Sequence, residues 1–577
     1  MRASFTATLQ VAPLEWLTFR NPVLVLRADE PRAVGPTLAD VESLTRDRGL
    51  HAVGYVAYEA GAAFGLPVVR LPERLPLVCF GLFADADVAR TGQPPADGAY
   101  EIGALQPSVD RERFGQAFER IKAALAAGDS YQANYTFRLR GAFSGDPATL
   151  FADLVAAQRG GYSAYLAFDD LAICSASPEL FFELTGRTIV TRPMKGTARR
   201  GRTLAEDRAS AAALAGSPKE RAENVMIVDM MRNDLGRVAD TGSVDVPELF
   251  SVERFPNVWQ MTSLVRARTD AALRDIFAAL HPSASVTGAP KVRTMALLAD
   301  LEDEPRGVYT GAIGYVPPSG LARFNVAIRT AVVDRGRGSL TFGVGSGVVW
   351  DSNADDEYDE CLLKGTILTR PTPHFQLLET MRWTEGEGFW LLARHLRRLS
   401  GSADYFDVPV SMAAIDTALA QAVAGATGTM RVRLLVSLAG EVRVETYPYA
   451  PWREPVRVRL SPRPVDPSDR FLCHKTTNRR VYDEARASVA DGDDVLLWNT
   501  RGEVTEASLA NVVIEIDGER VTPPVSCGLL PGTHREAWLE EGRVVERVVR
   551  VADLARATGV WLLNAVQGER VAEICPE

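Results

Sequence analysis

Short apolar runs separated by turn residues fill the first hundred positions, as in Val23-Leu24-Val25-Leu26 and Val53-Gly54-Tyr55-Val56, and predict short strands. The period then changes. Phe114, Phe118, Ile121 and Leu125 recur at helical spacing and predict a helix over 111–127, stopped by Gly128. Strand-like runs follow at 135–139, 162–168 and 180–184, then helices over 218–232 and 291–301. Further strand-like runs cover 308–316, 324–333 and 339–344. Arg370-Pro371-Thr372-Pro373 ends regular structure, and a new strand–helix series begins after it. The expected organisation is a domain over 1–370, with its core motifs in 110–366, and a second over 371–577. The fold class is α/β (α+β), without internal repeats.

At 577 residues the chain exceeds what one hydrophobic core usually organises. Apolar residues make up 46% and charged residues 24%, which excludes disordered and collagen-like classes. A net charge of −10 and a pI near 5.4 leave no basic footprint, so no nucleic-acid partner is expected. No apolar run reaches about 18 residues, so no membrane span is expected either. Gln10 and Glu15 break the N-terminal stretch, which lacks the ordered regions of a signal peptide. The six cysteines stand singly, with no CxxC pair, which argues against zinc and a disulfide framework. A cytoplasmic protein is expected.

The 64 basic residues include only six lysines: Lys122, Lys195, Lys219, Lys291, Lys364 and Lys475. Arginine is effectively never deprotonated, so it cannot serve as an amine nucleophile or Schiff base. In a chain that uses arginine wherever charge suffices, the persisting lysines are enriched in positions that need an amine.

Glu220 and Glu223 share a face of one predicted helix, and Glu357 and Glu360 repeat the spacing on another. Either pair alone reads as a solvated face. Two pairs, each flanked by a lysine (Lys219, Lys364), suit a hard cation: Mg²⁺ takes oxygen ligands and keeps waters, so one carboxylate from each pair would suffice. Thr287-Gly288-Ala289-Pro290-Lys291 opens a helix whose free N–H groups favour an anion. Gly343-Val344-Gly345-Ser346-Gly347 permits close approach of backbone to a ligand. Arg329 lies in a run read as an apolar strand, where a buried guanidinium wants an acid.

Over nearly 260 residues these segments, in order and number, resemble the chorismate-utilising enzymes. The resemblance implies a domain of two large packed sheets with helices outside, chorismate as substrate, and Mg²⁺ bridged to its carboxylate. It implies Glu223 and Glu360 as metal ligands with Glu220 and Glu357 close by, and Tyr309, Arg329, Gly345 and Lys364 holding the substrate. Lys195 in Pro193-Met194-Lys195-Gly196-Thr197 is the discriminator. Anthranilate synthases carry Ala there and aminodeoxychorismate synthases Lys. The amine can attack ring carbon 2 and expel the 4-hydroxyl, and ammonia then enters at carbon 4. Lys291, or another acid in the pocket, could protonate the leaving hydroxyl. Gln260 stands where anthranilate synthase-like members have His. No Gly-x-Cys-x-Gly turn is present, so ammonia is expected from solution or from a separate chain, and the resemblance implies a separate glutamine amidotransferase.

Lys475 is the one lysine after the proline break, hence the candidate Schiff-base amine if that domain uses pyridoxal phosphate. Glu506 could face a pyridinium nitrogen. Gly532 and Thr533 in Gly528-Leu529-Leu530-Pro531-Gly532-Thr533 offer a helix start for a phosphate, and Arg398 a cation. This half resembles the fold-type IV pyridoxal-phosphate enzymes, which include branched-chain aminotransferases and aminodeoxychorismate lyase. The resemblance implies Lys475 as the Schiff-base lysine, Glu506 at the pyridinium, and Arg398, Gly532 and Thr533 at the phosphate.

Together the halves imply a bifunctional enzyme that aminates chorismate at carbon 4 and then eliminates pyruvate to give 4-aminobenzoate. The alternatives are an anthranilate synthase-type first half, and a second half that is an aminotransferase or a non-catalytic dimerisation module. The second domain also leaves room for a homodimer.

Overall fold

A computed structural model describes residues 5–12, 15–94, 96, 98–369, 374–489 and 492–575. The expected break at 370–373 lies outside the described residues. Contacts divide the chain into two compact units. One is built from the chain up to Arg199 and from Ala211 to the proline break, the other from Arg200–Ser210 and the stretch after the break.

The first unit is built on two sheets, of 11 and 10 strands among the described residues. Phe5, Phe19 and Phe168 from one sheet pack with Tyr55, Phe83 and Ile313 from the other in a shared core. Helices cover both outer faces. Arg111–Ala126, Pro147–Gln158 and Ala354–Gly365 pack on the first sheet through Phe114, Ile121, Phe151 and Tyr358. Pro31–Arg48, Pro218–Gly236 and Leu273–Leu280 pack on the second through Val34, Leu38, Met231 and Phe277. Each helix buries one apolar stripe and the sheets bury both faces, so the unit has a layered core.

Several elements differ from expectation. Helix Pro31–Arg48 lies in a region read as strands, because Gly35 and Pro36 look like breakers. Pro36 falls early in the helix, and the burial of Val34, Leu38 and Val41 on one face outweighs it. The run 308–316 forms a strand only over Ala312–Val316. The run 324–333 is two strands, Ala322–Val326 and Thr330–Asp334. Arg329 therefore lies in the loop between them, with φ 51°, and not on a strand.

In the second unit a four-stranded sheet carries Leu377–Thr384, and helices Leu392–Phe406 and Met412–Ala422 pack on it through Leu399, Ala403, Ile415 and Leu419. An eight-stranded mixed sheet carries Val504–Ala507 and Asn511–Ile516. Among the described residues no helix is long and apolar enough to cross a membrane.

Candidate active sites

In the first unit, strand Met194–Arg199 pairs with Val258–Arg268 and its register shifts between Met194 and Thr197. Gly196 takes φ 103° in that bulge, a conformation that favours glycine. The bulge is clamped from three sides. Asn224 Nδ2 donates to the Lys195 carbonyl at 3.1 Å, and Ser263 Oγ donates to Asn224 Oδ1 at 2.6 Å. Gln260 Nε2 donates to the Gly196 carbonyl at 2.9 Å, while Thr197 Oγ1 donates to Gln260 Oε1 at 3.0 Å. Gln260 thus acts as a clip.

The Lys195 ammonium reaches Glu223 Oε2 at 3.3 Å. It also acts electrostatically on Glu220, Glu357 and Glu360, so it lies amid both acidic pairs. Helix Pro218–Gly236, capped by Ser217, presents Glu220 and Glu223, and helix Ala354–Gly365, capped by Asn353, presents Glu357 and Glu360. Burial raises the Glu220 carboxyl, and Glu223 adds to it. Burial likewise raises Glu357, and Ser346 donates to its carboxylate. Burial acts against the charge of Glu360, but Lys364, Lys195 and Arg329 outweigh it and lower its pKa. Lys364 bonds Glu360 at 2.7 Å and the Gly345 carbonyl at 2.8 Å, and Arg329 Nη1 donates to the Lys364 carbonyl at 3.1 Å. Tyr309 is buried and acts electrostatically on Arg329. A Cβ at Gly347 would lie 3.0 Å from Lys195 Nζ and 3.1 Å from Gln132 Nε2, so this backbone lines the amine's surroundings.

Thr287 is buried and its hydroxyl donates to the Ser283 carbonyl at 3.0 Å, while Gly288 pairs with Ala133 at the edge of the first sheet. Lys291 is engaged in a buried pair. Its ammonium donates to Asp234 at 2.6 Å and to the Leu280 carbonyl at 3.0 Å, and burial drives both members of the pair toward neutrality. Two groups escaped the sequence reading. Glu179 is buried, accepts from Ser285 Oγ at 2.6 Å and from the Met194 N–H, and burial raises it to about 7. Gln132 is buried with an Oε1 that has no partner among the described residues. Gln132 lies in the polar stretch Gly128-Asp129-Ser130-Tyr131-Gln132 and Glu179 in Ser175-Ala176-Ser177-Pro178-Glu179, so no local pattern marks either as buried.

The oxygen donors of the two acidic pairs suit Mg²⁺ in kind. Among the described residues, however, no three His, Cys, Asp or Glu side chains are grouped closely enough to enclose an ion. Lys195 and Lys364 occupy the carboxylates that would serve.

In the second unit Lys475 follows the short turn Arg470–Leu472, and its carbonyl accepts from the Leu378 N–H at 3.0 Å. Burial, with Arg398 alongside, lowers its amine to about 8. Glu506 lies on strand Val504–Ala507 and is buried. It accepts from Tyr482 Oη at 2.8 Å, the Leu530 N–H at 3.0 Å and Asn511 Nδ2 at 3.0 Å, and burial raises it to about 7 against those bonds. Gly532 caps helix Thr533–Glu540. Arg398 Nη1 donates to the Pro531 carbonyl at 3.1 Å, which brings its guanidinium to that helix start. The electrostatics of Lys475 register Arg398, Glu379 and Glu506 together, so all lie around one amine. A weakly basic lysine, a buried acid and a cation at a helix N-terminus are the donor set that pyridoxal phosphate requires, and these residues fit it.

The profile of the chorismate binding enzymes matches residues 10–370, and that of the class IV amino-transferases matches residues 376–574. Aminodeoxychorismate synthase component 1 of Salmonella typhimurium is 43% identical over 270 residues, 46% of this chain and 59% of the relative. Anthranilate synthase component 1 1 of Haloarcula marismortui is 41% identical over 266 residues, 46% of this chain and 54% of that relative. The chain thus spans less than two thirds of the curated relatives it matches. The crystal structure of anthranilate synthase component I from Streptococcus pneumoniae covers 64% of this chain and 93% of its own, with 25% identity and a TM-score of 0.53. With one profile spanning more than half its length, the chain belongs to the chorismate binding enzyme family and carries a class IV amino-transferase domain after it.

Proposed function

We propose that the chain makes 4-aminobenzoate from chorismate in two steps, amination at ring carbon 4 followed by elimination of pyruvate. The observation that carries this reading is the Lys195 amine, 3.3 Å from Glu223 and under the influence of both acidic pairs. In an otherwise acidic pocket a primary amine is the group able to form a bond to carbon.

Lys195 attacks carbon 2 of chorismate, the ring double bonds shift, and the carbon 4–oxygen bond breaks. Glu179, protonated below about 7, supplies the proton with which the hydroxyl leaves as water. Ammonia from a separate glutamine amidotransferase then adds at carbon 4, the double bonds shift back, and the bond to Lys195 breaks. The Asn224 and Gln260 bonds fix the bulge so that the amine keeps one approach line. Arg329, Tyr309, Thr287, Gly288 and Lys364 orient the substrate. Mg²⁺, when bound, neutralises the substrate carboxylate; Glu223 and Glu360 would hold it, with Glu220 and Glu357 beside them and waters completing its shell.

Pyridoxal phosphate, when bound in the second domain, supplies an electron sink. Lys475 removes the proton from carbon 4 of the aminated intermediate, the carbon 3–oxygen bond breaks, and pyruvate leaves as the ring becomes aromatic. Glu506 would face the cofactor nitrogen, and Arg398, Gly532 and Thr533 would hold the phosphate.

The test is to incubate the full chain with chorismate, Mg²⁺, an ammonium salt and pyridoxal phosphate and to identify the products. The expected outcome is 4-aminobenzoate with equimolar pyruvate. Anthranilate would overturn the first assignment. Accumulating 4-amino-4-deoxychorismate without 4-aminobenzoate would overturn the second.

A further inference from the structure

Beneath the Arg398 guanidinium lies a buried acid with no role in the scheme above. Glu379, on strand Leu377–Thr384, is 1% exposed. Its two oxygens accept from Arg398 Nε at 2.8 Å and Nη2 at 2.6 Å, a planar fork-to-fork pair. Oε2 also takes the Nδ1–H of His395 at 2.6 Å. That bond fixes the histidine tautomer, leaving Nε2 as an acceptor for the Thr533 hydroxyl at 3.4 Å. One carboxylate therefore orients two groups of the candidate phosphate subsite, one directly and one through a histidine.

The hydrogen-bond inventory of Arg398 supports an external anion. A guanidinium has five N–H donors. Glu379 takes two and the Pro531 carbonyl a third, leaving one each on Nη1 and Nη2 without a partner among the described residues. The fork geometry dictates where these two point, because rotation of the guanidinium would break both bonds to Glu379. Burial works against the charge of Glu379, but Arg398 and His395 hold its carboxyl down at about 2, so the carboxylate persists across the working pH range. Burial keeps His395 neutral, so the pair with Arg398 has no net charge until an anion arrives.

We infer that Glu379 is a positioning residue that presents Arg398 directly to the phosphate of the cofactor and, through His395, anchors the Thr533 side chain so that the helix start of the same subsite is held in place. The inference rests on the pyridoxal phosphate reading and adds the group that makes the subsite rigid.

The test compares pyridoxal phosphate with pyridoxal, which lacks the phosphate, by titrating the cofactor-free full chain and reading absorbance and intrinsic fluorescence. Glu379→Gln should weaken pyridoxal phosphate at least about tenfold and leave pyridoxal within about twofold of the unaltered chain. Removing one partner of a buried pair destabilises strongly, so circular dichroism accompanies each titration. Glu379→Asp, which keeps the charge, is the second variant and should recover part of the loss. In an Arg398→Ala background, Glu379→Gln should add no further phosphate-specific loss. Equal weakening of both ligands, or additive losses in the double variant, would overturn the inference while leaving the cofactor reading intact. Failure of the unaltered chain to bind either ligand would remove both.

Discussion

Lys195 Nζ and the Glu223 carboxylate stand 3.3 Å apart, joining the strand bulge of one sheet to the helix that covers it. The pairing keeps the amine in the acidic pocket without closing it off, since both side chains retain partial exposure. If the amine bonds to carbon, withholding ammonia should trap it. Intact-protein and peptide mass spectrometry should then find chorismate minus water on the peptide containing Lys195. Lys195→Ala and Lys195→Arg should both abolish the adduct and the amination, because arginine keeps the charge without the nucleophile. An active Lys195→Arg enzyme would show that charge alone suffices.

Glu179, which accepts from the Met194 N–H next to Lys195, is the buried acid to which the leaving hydroxyl's proton is assigned. Its carboxyl is raised to about 7, so it is protonated below that pH and loses its proton above it. Adduct formation without ammonia should therefore decline as pH rises through about 7. Glu179→Gln should lower the rate by about 10²–10⁴-fold and flatten that limb of the profile. Stopped-flow absorbance of chorismate consumption provides the measurement.

The acidic pairs, the lysines and helices such as 111–127 and 218–232 were legible because they rest on local spacing: Glu220 with Glu223, or Phe114 with Phe118, declare a helix face within one turn. What escaped depends on distant partners. Glu179 meets Ser285 across 106 positions of the chain. Arg202 of the Arg200–Ser210 segment reaches across 272 positions to accept from His474 beside Lys475, and no local pattern announces it. The mostly apolar run around Arg329 hid a left-handed turn, because backbone sign is not written in hydrophobicity. Glu379 carries no mark in the local pattern, because its charge is matched by Arg398 and His395 on a helix that follows.

Asn224 satisfies two buried partners at once, the Lys195 carbonyl and the Ser263 hydroxyl. Asn224→Ala leaves both without it and should cost about 1–3 kcal/mol in urea unfolding. Gln260→Ala, which frees the bulge, should slow adduct formation with little change in the chorismate concentration at half-saturation. A change in that concentration alone would mean that Gln260 binds substrate and does not hold the bulge.

Lys475 should take up pyridoxal phosphate unusually readily for a lysine. Burial and the neighbouring Arg398 lower its amine to about 8, so at pH 7 about one amine in ten is neutral, against about one in three thousand at the ordinary value near 10.5. Only the neutral amine attacks a carbonyl. The rate of uptake by cofactor-free protein should therefore rise with pH through about 8 and level off above it, followed by absorbance at about 410–430 nm. Lys475→Ala should lose both that band and pyruvate release while amination at carbon 4 continues. Pyruvate release that survived in Lys475→Ala would assign the proton transfer to another group.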